Sequence, residues 1–305
     1  MVKQMKRMKN RLRLWVQIAF TAITNGYVAG FTGATIYAGA SKSFCVPGLS
    51  CYSCPGAFGA CPIGSLQAVI GSRDYRFSFY IVGFLMVVGA FFGRFICGWL
   101  CPFGLFQDLL HRIPFPKKWR KLPGDRWLRY LKYLIFIGFV VVLPSVVLDI
   151  VGQGAPAFCK YICPSGTLMA GIPLVSLDTG LRETVGFLFF WKVAVLAALT
   201  LLSVTVYRPF CRYLCPLGAV YSVFNPISVY RMSVDESKCT KCGACQRKCG
   251  LDIPVWEKPN DPECIRCGEC KAACPCGAIS FGLTAGCGSK KDNSAAPPAG
   301  SVAEK

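Results

Sequence analysis

The segment CGWLCPFG, Cys97 to Gly104, closes an apolar run that begins near Ser78. Its two cysteines stand four positions apart, on one face of a helical turn, and a proline follows the second. Cysteine packs well as a small hydrophobe, so one such pair would only fill a helix end. An echo changes that reading. CRYLCPLG, Cys211 to Gly218, repeats the pattern after another apolar run, with Cys211 and Cys215 each 114 residues beyond Cys97 and Cys101. The two pairs together offer four thiolates, the number that a cubane iron-sulfur cluster takes. Pro102 and Pro216 end the apolar helix because the residue before a proline avoids the α region. Each can also open a short helix along the interface.

The apolar runs dominate the chain. With 305 residues, 53% of them hydrophobic and 16% charged, it has too little polar surface to cover a soluble globule. Segments near 14–38, 78–100, 130–150 and 184–206 approach the roughly 20 residues that cross about 30 Å of hydrocarbon. The first is diluted by Thr, Gly and Asn25, follows a cluster of Lys and Arg, and is expected to be an uncleaved span. A second basic stretch, Arg112 to Arg129, links the second and third spans, whereas 41–77 and 151–183 are poor in Lys and Arg. The positive-inside rule therefore gives a multi-pass protein of the cell inner membrane with both termini cytoplasmic. The net charge of +19 is topological, since no separate basic domain exists to bind nucleic acid. The single histidine, His111, excludes paired-imidazole haem and His-rich zinc or copper sites. It follows the inner motif and is expected as an interfacial residue with no chemical role, assistance in proton transfer to a quinone being the alternative. Arg94 and Lys192 lie in apolar runs, where pairing or snorkelling is expected.

After Asn225 the composition turns polar and cysteine-dense. CTKCGACQRKC supplies Cys239, Cys242, Cys245 and Cys249; CIRCGECKAACP supplies Cys264, Cys267, Cys270, Cys274 and Pro275. This is C-x2-C-x2-C-x3-C twice, in which the fourth cysteine of each run ligates the other cluster. One [4Fe-4S] cluster is thus assigned to Cys239, Cys242, Cys245 and Cys274, and a second to Cys264, Cys267, Cys270 and Cys249. Gly250 stands where the first run would carry its proline. A zinc ribbon also uses C-x2-C pairs, but two complete four-cysteine runs argue against it. ISVYRMSV and GAISFG are expected as short flanking strands. Such thiolate clusters belong in a reducing compartment, which places this tail in the cytoplasm.

A looser copy, CKYICPSG at Cys159 to Gly166, falls on the outer side. Its first-half counterpart is GACPIG, where Cys61 and Pro62 match and Ala57 takes the first cysteine position. Cys54, Cys61, Cys159 and Cys163 are the candidate ligands of an outer [4Fe-4S] cluster, with Cys51 or Cys45 as replacements for Cys54. A set of disulfides is the competing expectation on an oxidising face. Cys276 and Cys287 are left as spare thiols.

The fold expected is an all-α polytopic membrane domain of about four transmembrane helices with a parallel two-fold internal repeat. A small α+β bacterial-type 2[4Fe-4S] ferredoxin domain follows it. The divisions are 1–225 (halves about 14–125 and 126–225), 226–287, and a small polar disordered tail at 288–305. No nucleotide or flavin-attachment motif is present. The inner motifs at Cys97, Cys101, Pro102, Cys211, Cys215 and Pro216, with the eight tail cysteines, resemble NapH/MauN-type membrane 4Fe-4S proteins, which include the quinol-dehydrogenase subunit of periplasmic nitrate reduction. The resemblance implies a third cluster at the inner membrane face and electron relay between a quinone pool, redox-protein partners and cytoplasmic donors. It implies membership of a multi-subunit complex embedded in lipid. The outer cysteine set departs from that pattern and raises electron transfer across the bilayer. A metal-reducing or metal-handling assembly factor for a partner metalloenzyme is the alternative function.

Overall fold

The computed structural model describes residues 2–72, 75–147 and 154–283; Cys287 and the polar tail lie outside the described residues. The described chain is mainly helical, with one two-stranded sheet. Helix α1 (Val2–Thr24) ends where the Asn25 amide turns back onto the Thr21 carbonyl, so the first expected span is shorter than its apolar run. Helix α2 (Pro62–Ser72) leads into α3 (Tyr75–Phe92), the one-turn α4 (Phe95–Trp99) and α5 (Pro102–Arg112). Helix α6 (Asp125–Val146) carries a π-helical stretch at Phe136–Val142. Pro144 lacks the N–H that the Val140 carbonyl would accept, which loosens the ladder there.

Then come α7 (Ala157–Tyr161), α8 (Pro164–Leu177), α9 (Phe187–Thr205), the one-turn α10 (Pro209–Tyr213) and α11 (Pro216–Phe224). Among the described residues α6 and α9 are long and apolar enough to cross a membrane, with 22 and 19 residues and mean hydropathy of 1.6 and 2.2. Shorter apolar stretches occupy Phe79–Phe92 and α8. Large apolar side chains stand exposed on these helices, among them Phe79, Met86, Trp127, Leu134, Phe187 and Leu201.

A local unit recurs three times. A long helix gives way to one turn (α4, α7, α10) that carries the first cysteine of the motif; Leu100, Ile162 or Leu214 closes that turn. The second cysteine then stands extended as the N-cap of a helix opened by proline: Cys101, Cys163 and Cys215 have φ of −77°, −64° and −73°. The X-Pro restriction forces that extended cysteine, and the fixed proline φ starts the next helix.

The polar tail folds as β1 (Tyr230–Val234), α12 (Ala244–Lys248), α13 (Glu269–Ala273) and β2 (Ile279–Leu283). The strands pair antiparallel from Tyr230↔Leu283 to Val234↔Ile279, at the two expected segments. Gly243 and Gly268 take φ of 70° and 81° just after the second cysteine of each run, a region open to glycine, so both loops turn alike.

The tail is seated directly on the helical body. Glu263 pairs with Arg94 at 2.5 Å and with Lys132, and all three side chains are buried. Asn225, at the junction, donates to the Asp261 and Cys264 carbonyls at 2.7 and 3.0 Å and accepts from the Arg94 N–H. Trp99 and Arg266 add bonds to backbone carbonyls across the same boundary. Burial opposes ionisation of Glu263, but its two cations win and hold its carboxyl below the usual range. Glu263→Ala leaves two buried cations unpaired and is expected to cost about 3–5 kcal/mol. The check is limited proteolysis and thermal unfolding in detergent, where the variant releases the tail segment at a temperature at which the parent does not.

Candidate iron-sulfur sites

In the tail, Cys239, Cys242, Cys245 and Cys274 line one pocket, with Trp256 and Cys276 beside them. Cys249, Cys264, Cys267 and Cys270 line another, together with Tyr207 from the helical body. The crossed pairing expected from the doubled spacing is therefore the grouping the fold brings about. Gly250 also acquires a reason: a Cβ there would lie 2.6 Å from the Tyr207 ring, so the proline usual at this point has no room. Burial pushes the Cys264 thiol up to about 12, so at neutral pH iron must displace a proton to bind there.

Cys97, Cys101, Cys211 and Cys215 are all buried in the core of the helical body, near enough that each thiolate would act on the others. Two buried arginines bracket them, each three residues before a motif's first cysteine. Arg94 donates to the Cys211 carbonyl at 2.8 Å, and Arg208 donates to the Cys97 carbonyl at 2.5 Å, so the two copies exchange donors. Gly104 and Gly218 leave the space: a Cβ would lie 3.3 Å from Arg208 Nη1 in one case and from Arg94 Nη2 in the other. Arg94 is held in turn by Glu263. Arg208 is held by Asp108, which also pairs with Arg13. Burial raises the Asp108 pKa, but Arg208 and Arg13 outweigh it and keep the carboxyl ionised.

Gln107 forms a clasp, its Oε1 accepting from the Phe210 N–H at 3.2 Å while its Nε2 donates to Cys211 Sγ at 3.0 Å. The Gly218 N–H donates to Cys215 Sγ at 3.3 Å. Among the described residues the buried Arg94 Nε has no hydrogen-bond partner, while the guanidinium acts on the Cys97 thiol. A four-thiolate cluster fits these residues, with donors aimed at sulfur and positive charge on two sides. Among the described residues no three His, Cys, Asp or Glu side chains converge on a site for a single metal ion. The described cysteines are all free of disulfides.

On the other side of this group Cys51, Cys61, Cys159 and Cys163 line a cavity of about 360 Å³ with Lys160 and Lys192. Cys54 stays apart, buried under a turn in which its N–H bonds the Cys51 carbonyl, and Cys45 packs toward Ser65. Thus the fold brings Cys51, rather than Cys54, to the other three. His111 rests its Nδ1 on the Ser203 carbonyl and its ring edge-on to Tyr207; burial, with Lys118, holds its pKa below the ordinary value.

Sequence reasoning missed several partners whose signals were present. Arg208 stands 114 residues after Arg94, whose pairing is expected from the sequence, and Gln67 and Gln107 each stand six residues after a Cys-Pro cysteine. Glu263 and Tyr207 carried no such mark.

Residues 77–123, 131–175 and 187–231 each match the 4Fe-4S binding domain family, one match for each recurrence of the helix, turn and proline unit. Two uncharacterized proteins of Methanocaldococcus jannaschii are 33% and 35% identical over 208 and 202 residues, covering 66% and 65% of this chain and 70% and 75% of theirs. The methylamine utilization ferredoxin-type protein MauN of Methylorubrum extorquens is 30% identical over 194 residues, 63% of this chain and 55% of that protein. No solved structure matches. Together these define a 4Fe-4S ferredoxin-type electron-transfer protein. The chain belongs to the NapH/MauN-like family of 4Fe-4S proteins.

Hydrogen bonds to sulfur help set a cluster's potential. Gln107→Leu removes one donor from Cys211 and is expected to lower the potential of a cluster held by Cys97, Cys101, Cys211 and Cys215 by about 40 mV, the one-electron equivalent of about 1 kcal/mol. An EPR-monitored redox titration reads it, with the tail clusters' potentials unchanged.

Proposed function

We propose that this chain is a membrane-bound relay, moving electrons between a cytoplasmic donor or acceptor and a membrane quinone or an outer-face partner as part of a larger redox complex. The thiolate sets in this proposal are Cys239, Cys242, Cys245 and Cys274, then Cys249, Cys264, Cys267 and Cys270, then Cys97, Cys101, Cys211 and Cys215. Each [4Fe-4S] cluster, when bound, takes up and gives back one electron at a time. The protein's own work is to hold these sets close, bury them and fix their charge surroundings.

The observation that carries the reading is the contact at Gly98. A Cβ at this residue, next to Cys97, would lie 2.3 Å from the carbonyl oxygen of Ile265, next to Cys264. The backbone of one thiolate set therefore touches the backbone of the next, with Gln17 and Trp99 fixing both sides. The first tail set is the more open, since Cys242 is exposed whereas Cys264 and Cys270 are buried. That order suits a soluble partner docking at the Cys242 end. The apolar, outward-facing side chains of α3, α6 and α9 support a bilayer setting, and the basic 112–129 stretch supports cytoplasmic termini.

Anaerobically purified protein tests the reading. Reduced by dithionite, the parent is expected to pass electrons to a water-insoluble quinone analogue. Cys97→Ala together with Cys211→Ala is expected to lose about four irons per chain and at least tenfold in quinone reduction. The tail clusters still reduce in that variant. Unchanged iron content and quinone reduction would sink the proposal.

A second substitution probes the contact alone. Gly98→Val wedges a side chain against Ile265 and is expected to slow electron passage from the tail with the iron content intact, read by stopped-flow oxidation of the tail signals.

A further inference from the structure

We infer that Cys51, Cys61, Cys159 and Cys163 hold a fourth [4Fe-4S] cluster, joined to the inner thiolate set by the backbone from Leu49 to Cys51. This rests on the relay reading of the inner set and extends the same architecture to the outer cavity.

The outer site repeats the inner one residue by residue. Cys61 precedes Pro62 as Cys101 precedes Pro102, and Gln67 stands where Gln107 does. Gln67 makes the same clasp: its Oε1 accepts from the Phe158 N–H at 2.9 Å and its Nε2 donates to Cys159 Sγ at 3.3 Å. Phe158 and Cys159 thus correspond to Phe210 and Cys211. Gly166 N–H donates to Cys163 Sγ at 3.4 Å, as Gly218 N–H does to Cys215 Sγ. An amide clasp on one sulfur and an N-cap bond on another are features of a ligand cradle, and here they recur in the same order.

The position of Cys97 has no counterpart, because Ala57 fills it in the sequence. Cys51 enters the gap from the loop instead. A Cβ on Gly166 would lie 3.7 Å from Cys51 Sγ and 3.8 Å from Cys163 Sγ, so these sulfurs are no farther apart than the sum of those distances. Another on Gly64 would lie 3.8 Å from Cys159 Sγ and equally far from Cys61 Cβ. Four thiols therefore ring one cavity, with Lys192 supplying a nearby positive charge.

The same loop touches the inner set. The Leu49 N–H faces the Cys101 thiol, and Gly48 packs so tightly that a Cβ would lie 3.2 Å from Cys101 Cα. From Leu49 to Cys51 the chain spans at most about 7 Å. Tyr221, fully buried, donates to the Pro47 carbonyl at 3.0 Å and lies near enough to Cys97, Cys101 and Cys61 for all three to act on it. Nothing in this arrangement requires the outer set to lie a full bilayer away.

The test is an iron and sulfide count on the full chain, purified anaerobically. About 16 irons per chain are expected, falling to about 12 in Cys51→Ala and staying at about 16 in Cys54→Ala, at four irons per cubane. Unchanged iron in Cys51→Ala, or loss in Cys54→Ala instead, overturns the assignment. So does a disulfide among the four outer cysteines in peptide mapping. If Cys51→Ala fails to accumulate, thiol labelling of the parent decides. The four outer cysteines should resist alkylation until iron is chelated; immediate labelling overturns the inference. Cys97→Ala run in parallel reports on the inner set, so a failure of the relay reading shows separately.

Discussion

Four thiolates buried among apolar helices need compensating charge, and that constraint organises this molecule. An oxidised cubane with four thiolates totals about −2. Around the inner set Arg94, Lys132, Arg208 and Arg13 face Glu263 and Asp108, four cations against two carboxylates, a net of +2. The guanidiniums are themselves too buried to stand alone, so each recruits a carboxylate from elsewhere in the chain. Arg94 draws Glu263 from the tail; Arg208 shares Asp108 with Arg13 of the first helix. The ion pairs that attach the tail are thus the same ones that would balance the charge of the proposed inner cluster.

The crossed donors follow from the repeat. Because Arg94 and Arg208 occupy equivalent places, each reaches the other copy's first cysteine, and neither half is complete alone. Gln107 adds a bond from one copy to a sulfur of the next. At the outer cavity the clasp persists through Gln67, but among the described residues no buried arginine lines it, and a half-buried lysine takes that role. The outer site is correspondingly roomier than the pockets of the tail.

Much of this was legible in the sequence, for reasons that can be named. Doubled C-x2-C-x2-C-x3-C spacing forces the crossed grouping of the tail cysteines, and Cys-Pro forces the extended N-cap that aims Cys101 and Cys215. The strands at Tyr230–Val234 and Ile279–Leu283 followed from their flanking position. Which cysteine lines the outer cavity beside Cys61, Cys159 and Cys163 was not legible: the sequence puts Cys54 first with Cys51 or Cys45 as replacements, and the path of the loop brings Cys51 there. The reason for Gly250 lies outside its own motif, in the Tyr207 ring that fills the space a proline would need. The first expected span runs past its helix, since apolar composition continues beyond Thr24, where α1 stops, and among the described residues two of the four expected spans have the length and hydropathy to cross.

The central claim is that the thiolate sets form one continuous chain of close neighbours. Low-temperature EPR of the fully reduced protein tests it most directly. Neighbouring reduced clusters should broaden one another's signals and relax faster than isolated ones, and Cys97→Ala should narrow the signal of the cluster held by Cys264, Cys267, Cys270 and Cys249. A spectrum that is the plain sum of isolated cluster signals, unchanged by that substitution, would contradict the account.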